Sequence, residues 1–296
     1  MIDDEEAAQI VEVLKLNAIG TLFLIGGLPT LGLLRLIIEK AAGAEHELVA
    51  LGIPAAAENE VEGGDHTPGY ASAARFAAIA ARDSAHAATA GEEPILVQEY
   101  LGSQVGWLPA ATSLARDEGN RAPHAILFPE RAVEAEAVVD EARRAYQKNG
   151  YAMIVTSEGA KDTAGNSLAG AQLTQLLAQN LSLPVRFDRP GSLARVTQTS
   201  VARVDAEEAH NIGALAARLA DDECSGYLVT VGREGAGERG YKSLEGTAHL
   251  SQVEDAPRVL PADFIAEDGL DVSDAFTDWV KPLVGGALPD YVALDE

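Results

Sequence analysis

Apolar and polar positions switch between two periods along this chain. From Asp3 to Asn17, Ile10, Val11 and Leu14 share one face at helical spacing, and acidic residues crowd the first turn, where a helix N-terminus favours them. The run TLFLI at 21–25 then reads as a fully buried strand, ended by Gly26 and Gly27. Leu31, Leu34, Ile38 and Ala41 return to helical spacing, and LVALGI at 48–53 is a second buried run. The strand pattern recurs at ILVQEY (95–100), HAILFP (124–129), YAMIVT (151–156) and GYLVTV (226–231), separated by amphipathic stretches such as 132–148 and 204–220. Repeated strand–helix units predict an α/β fold, with parallel sheets flanked by helices on both faces. Ligands in such folds bind at loops beyond the C-terminal ends of strands, so chemistry is sought there.

Composition narrows the function classes. With 296 residues, 47% hydrophobic and 23% charged, the chain can bury a sizeable core in one or two domains. Its formal charge of -24 argues against nucleic acid as a partner and against attraction to anionic membrane surfaces. A single cysteine, Cys224, excludes an internal disulfide and a cysteine metal cluster. The first residues carry no basic segment of the kind that opens a signal peptide, and no apolar run reaches the ~18 residues of a membrane span. The expectation is a soluble cytoplasmic protein. The histidines, His66, His86, His124, His210 and His249 among them, stand singly and without a metal-binding spacing, so no metal site is expected from them.

Five segments at or after strands carry information: IGGLPT (25–30), the long polar loop 52–75, QEYLGSQVGWLPAATSLA (98–115), VTSEGA (155–160) and 185–213. In order and spacing they resemble the phosphofructokinase family, with its IGGDxS loop, GIPKTIDND followed by PGxxSA, EVMGR followed by GW, a strand ending in EG, and an R-x4-G-x3-R segment before a D-x3-A helix. The matching residues here are Gly26, Gly27, Gly52, Ile53, Pro54, Asn59, Pro68, Gly69, Glu99, Gly102, Gly106, Trp107, Glu158, Gly159, Arg186, Gly191, Arg195 and Asp205. LPADFI (260–265) and WVKPLVGGALPDY (279–291) resemble the end of the pyrophosphate-using branch. Each motif is weak alone; six in order over nearly the whole chain are specific.

The resemblance implies a two-lobed fold, with residues 1–69 plus 196–296 as a donor-binding lobe and 70–195 as a sugar-phosphate-binding lobe. It also implies that family sequence ahead of the first helix is absent, so that the first lobe lacks its leading strands and TLFLI or LVALGI presents an open edge. Gly26 and Gly27 fall at the donor site. Glu58 takes the place of the catalytic base, one methylene longer than the family's aspartate, with Asn59 and Glu60 completing that loop on the substrate side. Gly102 and Ser103 fall at the transferring phosphate, and Glu158, Arg186 and Arg195 at the sugar phosphate.

Departures concentrate on the transfer chemistry. The metal-holding aspartate is Leu28, followed by Pro29, which stiffens the loop; the donor-side lysine is Ala55, the threonine Ala56, and the phosphate-facing arginine Ser103. The histidine between the two sugar-phosphate arginines is Ser192, and an arginine contributed across subunits is Pro94. Read without the resemblance, the acids at 58–60 are equally a solvated loop, and Arg186 and Arg195 equally surface ion pairs. No cofactor is implied beyond Mg²⁺, and that only for an active enzyme. The leading expectation is a catalytically impaired or non-catalytic structural or regulatory subunit that binds a sugar phosphate or other small anion, as a homo-oligomer or with a complete phosphofructokinase subunit. The alternative is an active glycolytic 6-phosphofructokinase using pyrophosphate or ATP, and a third reading is a different small ligand in the same fold.

Overall fold

The computed structural model describes residues 3–90, 92–117, 119–235 and 240–289. Its strands are β1 (Thr21–Gly26), β2 (Val49–Pro54), β3 (Ile95–Tyr100), β4 (Ala125–Ile126), β5 (Ala152–Ser157), β6 (Val185–Asp188), β7 (Tyr227–Glu234) and β8 (Lys242–His249). Its helices are α1 (Asp4–Leu16), α2 (Leu28–Gly43), α3 (Tyr70–Ala90), α4 (Trp107–Ala111), α5 (Ala135–Asn149), α6 (Gly170–Leu181), α7 (Leu193–Val196), α8 (Arg203–Asp221) and α9 (Asp274–Val280). The chain divides into two compact units, Met1–Tyr70 with Arg203–Arg258, and Ala71–Ala202 with Val259–Glu296. No described helix is long and apolar enough to cross a membrane.

The first unit holds a sheet in the order β1-β2-β7-β8. β1, β2 and β7 run parallel, while β8 returns antiparallel to β7, so this sheet is mixed rather than wholly parallel. β8 is an edge strand whose residues alternate between exposed and half-buried, which left no apolar run to announce it. α1 begins with a capping box, Asp3 accepting from the Glu6 amide and Glu6 from the Asp3 amide, so its acidic start satisfies orphan N–H groups. Val11 of α1 and Ile37 and Ala41 of α2 form a cluster with Leu22 and Leu24 of β1. Ile212 and Ala216 of α8 pack on Val229 and Val231, with Ile53 beside them. β1 departs from the fully buried strand expected for TLFLI: it is an edge strand with alternating burial, and Phe23 and Ile25 are exposed.

The second unit holds the parallel sheet β4-β5-β3-β6. β3 and β5 are buried at every position, as their unbroken apolar runs require. Val138, Val139 and Ala142 of α5 and Leu173 and Leu177 of α6 close over Ile95, Val97 and Ile154. Residues 259–296, expected with the first lobe, belong to this unit. The reason is aromatic packing: Trp107 meets Phe264 edge-on at 6.1 Å and Trp279 at 5.1 Å, and Phe264 meets Phe276 at 5.7 Å. The Leu260 amide also donates to Glu130, and Arg116 pairs with Asp271 at 2.8 Å. Of the segment 279–291, residues 290 and 291 lie outside the described residues.

Candidate functional site

The residues singled out by the sequence fall into two groups, one in each unit. In the first unit, β1 runs out at Gly26, and Gly27 is the N-cap of α2 in an extended conformation. Leu28 and Pro29 are therefore the first turn of a helix. Proline is pre-organised for that position, so Pro29 starts α2 instead of stiffening a loop. A helix start presents unpaired N–H groups and a partial positive charge, a natural anion site. Here the chain fills it itself: Glu60 Oε1 accepts from the Leu28 amide at 3.2 Å, and a Cβ on Gly27 would lie 2.6 Å from that oxygen. Beside this turn lies a hollow of about 810 Å³ floored by Leu28, Pro29, Leu33 and Leu36, with Glu6 and Asp255 on its rim. Arg35, on the same helix, is engaged by the carbonyls of Leu250 and Val253 and by the rim residue Asp255.

The loop after β2 is fastened along its length. The Ala55 amide donates to the Gly26 carbonyl at 2.9 Å and the Ala56 amide to the Pro68 carbonyl at 3.0 Å. Asn59 is buried with φ +56°, in the left-handed region that asparagine tolerates better than most residues. Its Oδ1 accepts from the Thr67 amide at 2.8 Å and from Arg258 at 3.2 Å, and its buried Nδ2 has no acceptor among the described residues. Burial depresses the Arg258 pKa, and the neighbouring Arg233 adds to that, against the pull of Asp65. Gly69, at φ +101°, donates to Asp205 of α8 at 2.6 Å, which gives the D-x3-A helix its role here. The far end of the loop is held by His66, whose buried ring lies between Asp65 (3.0 Å) and Glu208 of α8 (2.7 Å). Arg233 of β7 backs Asp65, and the Tyr241 hydroxyl donates to Glu208. Glu58 stands half-buried in the turn before Asn59.

The second unit gathers another set at the ends of β3, β5 and β6. Glu99 is buried; its Oε2 accepts from the Gly170 amide at 2.7 Å and its Oε1 pairs with Arg189 at 2.7 Å. Arg189 reaches Glu158 with its other nitrogen, so one guanidinium bridges two carboxylates. The hydrogen bond from Glu158 and then the charge of Glu99 raise its pKa further. Gly102 has φ +138°, and a Cβ there would collide with the Val105 carbonyl. A Cβ on Gly159 would likewise collide with the Ser103 carbonyl, so glycine at 159 lets the loops after β3 and β5 touch. Ser103 is exposed. Arg186 is half-buried and paired with Asp188 at 2.7 Å, and Arg195 is exposed on the short helix α7.

Chemically, the Glu99–Arg189–Glu158 bridge offers carboxylates for hydroxyls and a guanidinium for negative charge. The first set offers carboxylates and an anion-capped helix, without a cation at the hollow's lining. Mg²⁺ needs several oxygen ligands in near-octahedral array. Leu28 supplies none, Glu60 is engaged by the Leu28 amide, and among the described residues no group of three or more His, Cys, Asp or Glu could hold a metal. These residues do not fit Mg²⁺. Arg189, Arg258 and the His66 cluster escaped sequence reasoning. Arg189 had a signal, its place inside the R-x4-G-x3-R segment, but partners 90 and 31 residues away did not show.

A family model described as Phosphofructokinase matches residues 1–219. The pyrophosphate–fructose 6-phosphate 1-phosphotransferase of Rhodospirillum rubrum is 30% identical over 310 residues, covering 97% of this chain and 76% of that protein. The sulfofructose kinase of Alkalicoccus urumqiensis is 30% identical over 291 residues, covering 93% and 74%. Among solved structures, the pyrophosphate-dependent phosphofructokinase of Nitrosospira multiformis superposes with a TM-score of 0.88 at 25% identity, over 99% of this chain and 74% of that one. That of Marinobacter aquaeolei gives 0.87 at 24%, over 98% and 74%, a likeness of fold.

Proposed function

Because the chain belongs to the phosphofructokinase family, we propose that it is a member whose phosphoryl-transfer chemistry is lost or strongly impaired. In this reading it acts as a structural or regulatory subunit that keeps a site for a sugar phosphate or related anion in its second unit. One observation carries the reading. The Leu28 amide at the start of α2, an N–H that a phosphate could otherwise take, is capped by the chain's own Glu60, and the neighbouring hollow is apolar, with Glu6 and the Arg35-paired Asp255 on its rim. Phosphoryl transfer rests on positioning and on neutralising developing charge, usually by Mg²⁺ with Arg or Lys. Leu28, Ala55 and Ser103 offer neither. The Glu99–Arg189–Glu158 bridge and Arg195 support retained recognition of a polyhydroxylated anion.

A second reading, an active 6-phosphofructokinase using pyrophosphate or ATP, is supported by the 30% identity to a named phosphotransferase over nearly the whole chain and by a carboxylate at Glu58. One assay separates the two. Purified chain is mixed with fructose 6-phosphate or sulfofructose, Mg²⁺ and either donor, alone and with a complete phosphofructokinase subunit. The proposal expects background turnover for the chain alone; robust turnover without a partner overturns it. Calorimetry tests the retained site: fructose 6-phosphate should bind and should lose at least tenfold in affinity with Arg195→Ala. Absence of heat with every sugar phosphate removes the anion-site half of the proposal.

A further inference from the structure

Between β2 and α3 the chain buries a histidine with both ring nitrogens committed. Nδ1 of His66 lies 3.0 Å from Asp65 Oδ2, and Nε2 lies 2.7 Å from Glu208 Oε2 of α8. His66 is 3% exposed and Glu208 2%. A neutral imidazole carries a single N–H, so two carboxylate partners at these distances require the doubly protonated ring. The charges around it balance only in that state. Arg233 of β7 holds both oxygens of Asp65 and lies 4.8 Å from the centre of the Tyr241 ring, whose hydroxyl donates to Glu208. Arg258, Glu62 and the buried Tyr70 are further titratable groups that act on this cluster. With the imidazolium, His66 and Arg233 meet Asp65 and Glu208, two charges of each sign. Without it, one carboxylate faces a ring lone pair and the other loses the charge assistance of its hydrogen bond.

The ring is joined to residues 59 and 60 by an unbroken series of contacts. The amide of Thr67, next in the chain, donates to Asn59 Oδ1 at 2.8 Å. Arg258 donates to the same oxygen at 3.2 Å and, from its amide, to the Glu60 carbonyl at 2.9 Å. Asn59 holds φ +56°, a conformation that persists only where its surroundings fix it, and Glu60 Oε1 accepts from the Leu28 amide. We propose that His66 is a proton-operated clasp: protonated, it fastens residues 59–67 to α8, and loss of that proton in mildly alkaline solution loosens the segment and releases Asn59 and Glu60 from these bonds. Burial pulls the ring's pKa down, but the hydrogen bonds to Asp65 and Glu208 carry it above the ordinary 6.5. The clasp is therefore closed at and below that pH and opens as pH rises through the folded value. The Asp65 amide on the Val231 carbonyl and the Gly69 amide on Asp205 do not titrate in this range, so the loosening stays local. This device goes beyond the loss of phosphoryl transfer and operates whether or not the chain turns over a substrate.

The full chain labelled with nitrogen-15 reports on ring and loop together. Ring spectra should show both His66 nitrogens protonated at about pH 6 and a midpoint above 6.5. Amide exchange, corrected for its intrinsic pH dependence, should show protection at Thr67 and Leu28 falling about tenfold or more as the ring loses its proton, while amides inside β2 keep theirs. Glu208→Gln removes one carboxylate and should move the midpoint down by about one pH unit, with the protection step moving alongside. His66→Gln should show no step; if that variant misfolds, Glu208→Gln carries the test. A ring with a single proton at about pH 6, or one still doubly protonated at about pH 9, overturns the proposal. So does protection at Thr67 and Leu28 that ignores the ring's midpoint, or a step that persists in His66→Gln.

Discussion

Replacing His66 by alanine tests how the loop that carries Glu58, Asn59 and Glu60 is held. The imidazole is buried and sits between Asp65 at 3.0 Å and Glu208 at 2.7 Å. Burial pulls its pKa down, but the hydrogen bonds to Asp65 and then Glu208 outweigh this, and the net shift is upward. Deleting one member of a buried ion pair costs about 3–5 kcal/mol, because a charge is left buried and uncompensated. Here the low end applies, about 3 kcal/mol, since Asp65 retains Arg233 and Glu208 retains the Tyr241 hydroxyl. At about 2 °C per kcal/mol for a chain of this size, the melting temperature should fall by about 6 °C at pH 6. The pH dependence has a definite sign. A histidine whose folded pKa lies above its unfolded value near 6.5 stabilises fully below that unfolded value, and the contribution is lost as pH rises through the folded pKa. The gap between parent and His66→Ala should therefore be widest near pH 6 and shrink as the solution becomes alkaline. Thermal and urea unfolding across pH 6–9 measure it. A loss under about 1 kcal/mol at pH 6, or a gap that does not change with pH, refutes the buried imidazolium.

Three further outcomes follow from the geometry. Glu60→Gln keeps an acceptor for the Leu28 amide but removes the negative charge from the start of α2; stability should change by less than about 1 kcal/mol, and pyrophosphate binding by calorimetry should strengthen, whereas unchanged binding would show that this carboxylate does not guard the helix end. Gly102→Ala forces a side chain onto φ +138° and into the Val105 carbonyl, and urea unfolding should report a loss of about 2–4 kcal/mol; a neutral result would mean that the turn relaxes freely. Arg189→Ala takes the counterion from buried Glu99, which keeps the Gly170 amide, and since Arg189 is half exposed the loss should be about 1–2 kcal/mol. The same variant should weaken fructose 6-phosphate binding if this bridge belongs to a sugar-phosphate site, and equal affinity would separate the two.

The elements that rest on contiguous side chains were legible from the start. ILVQEY and YAMIVT are strands because unbroken apolar runs of that length bury well in parallel sheets, LVALGI is a mostly buried one, TLFLI is a strand as expected though half of it is exposed, and α1 begins where Asp3 and Glu6 form a local capping box. β8 and β6 were not legible. KSLEGTAH and VRFD carry few apolar residues, and their backbone bonds are made to strands already in place. The placement of 259–296 was likewise hidden, because aromatic residues at 264, 276 and 279 find Trp107 only in three dimensions.

What the sequence determined by itself is the class of the fold, the family, and the side chains available: residue 28 carries no carboxylate and residue 103 no cation, which is a matter of side-chain identity that folding cannot alter. What the tertiary structure alone decided is where the remaining charges are directed. Glu60 faces the Leu28 amide 32 residues away, Arg189 faces Glu99 and Glu158, and His66 finds Glu208 across 142 residues. Such pairings depend on distances set by sheet and helix packing, and electrostatic energy falls off with separation in space and not along the chain. For that reason the side chains present at 28 and 103 could be read from the letters, while the carboxylate that closes the helix end had to be seen in the fold.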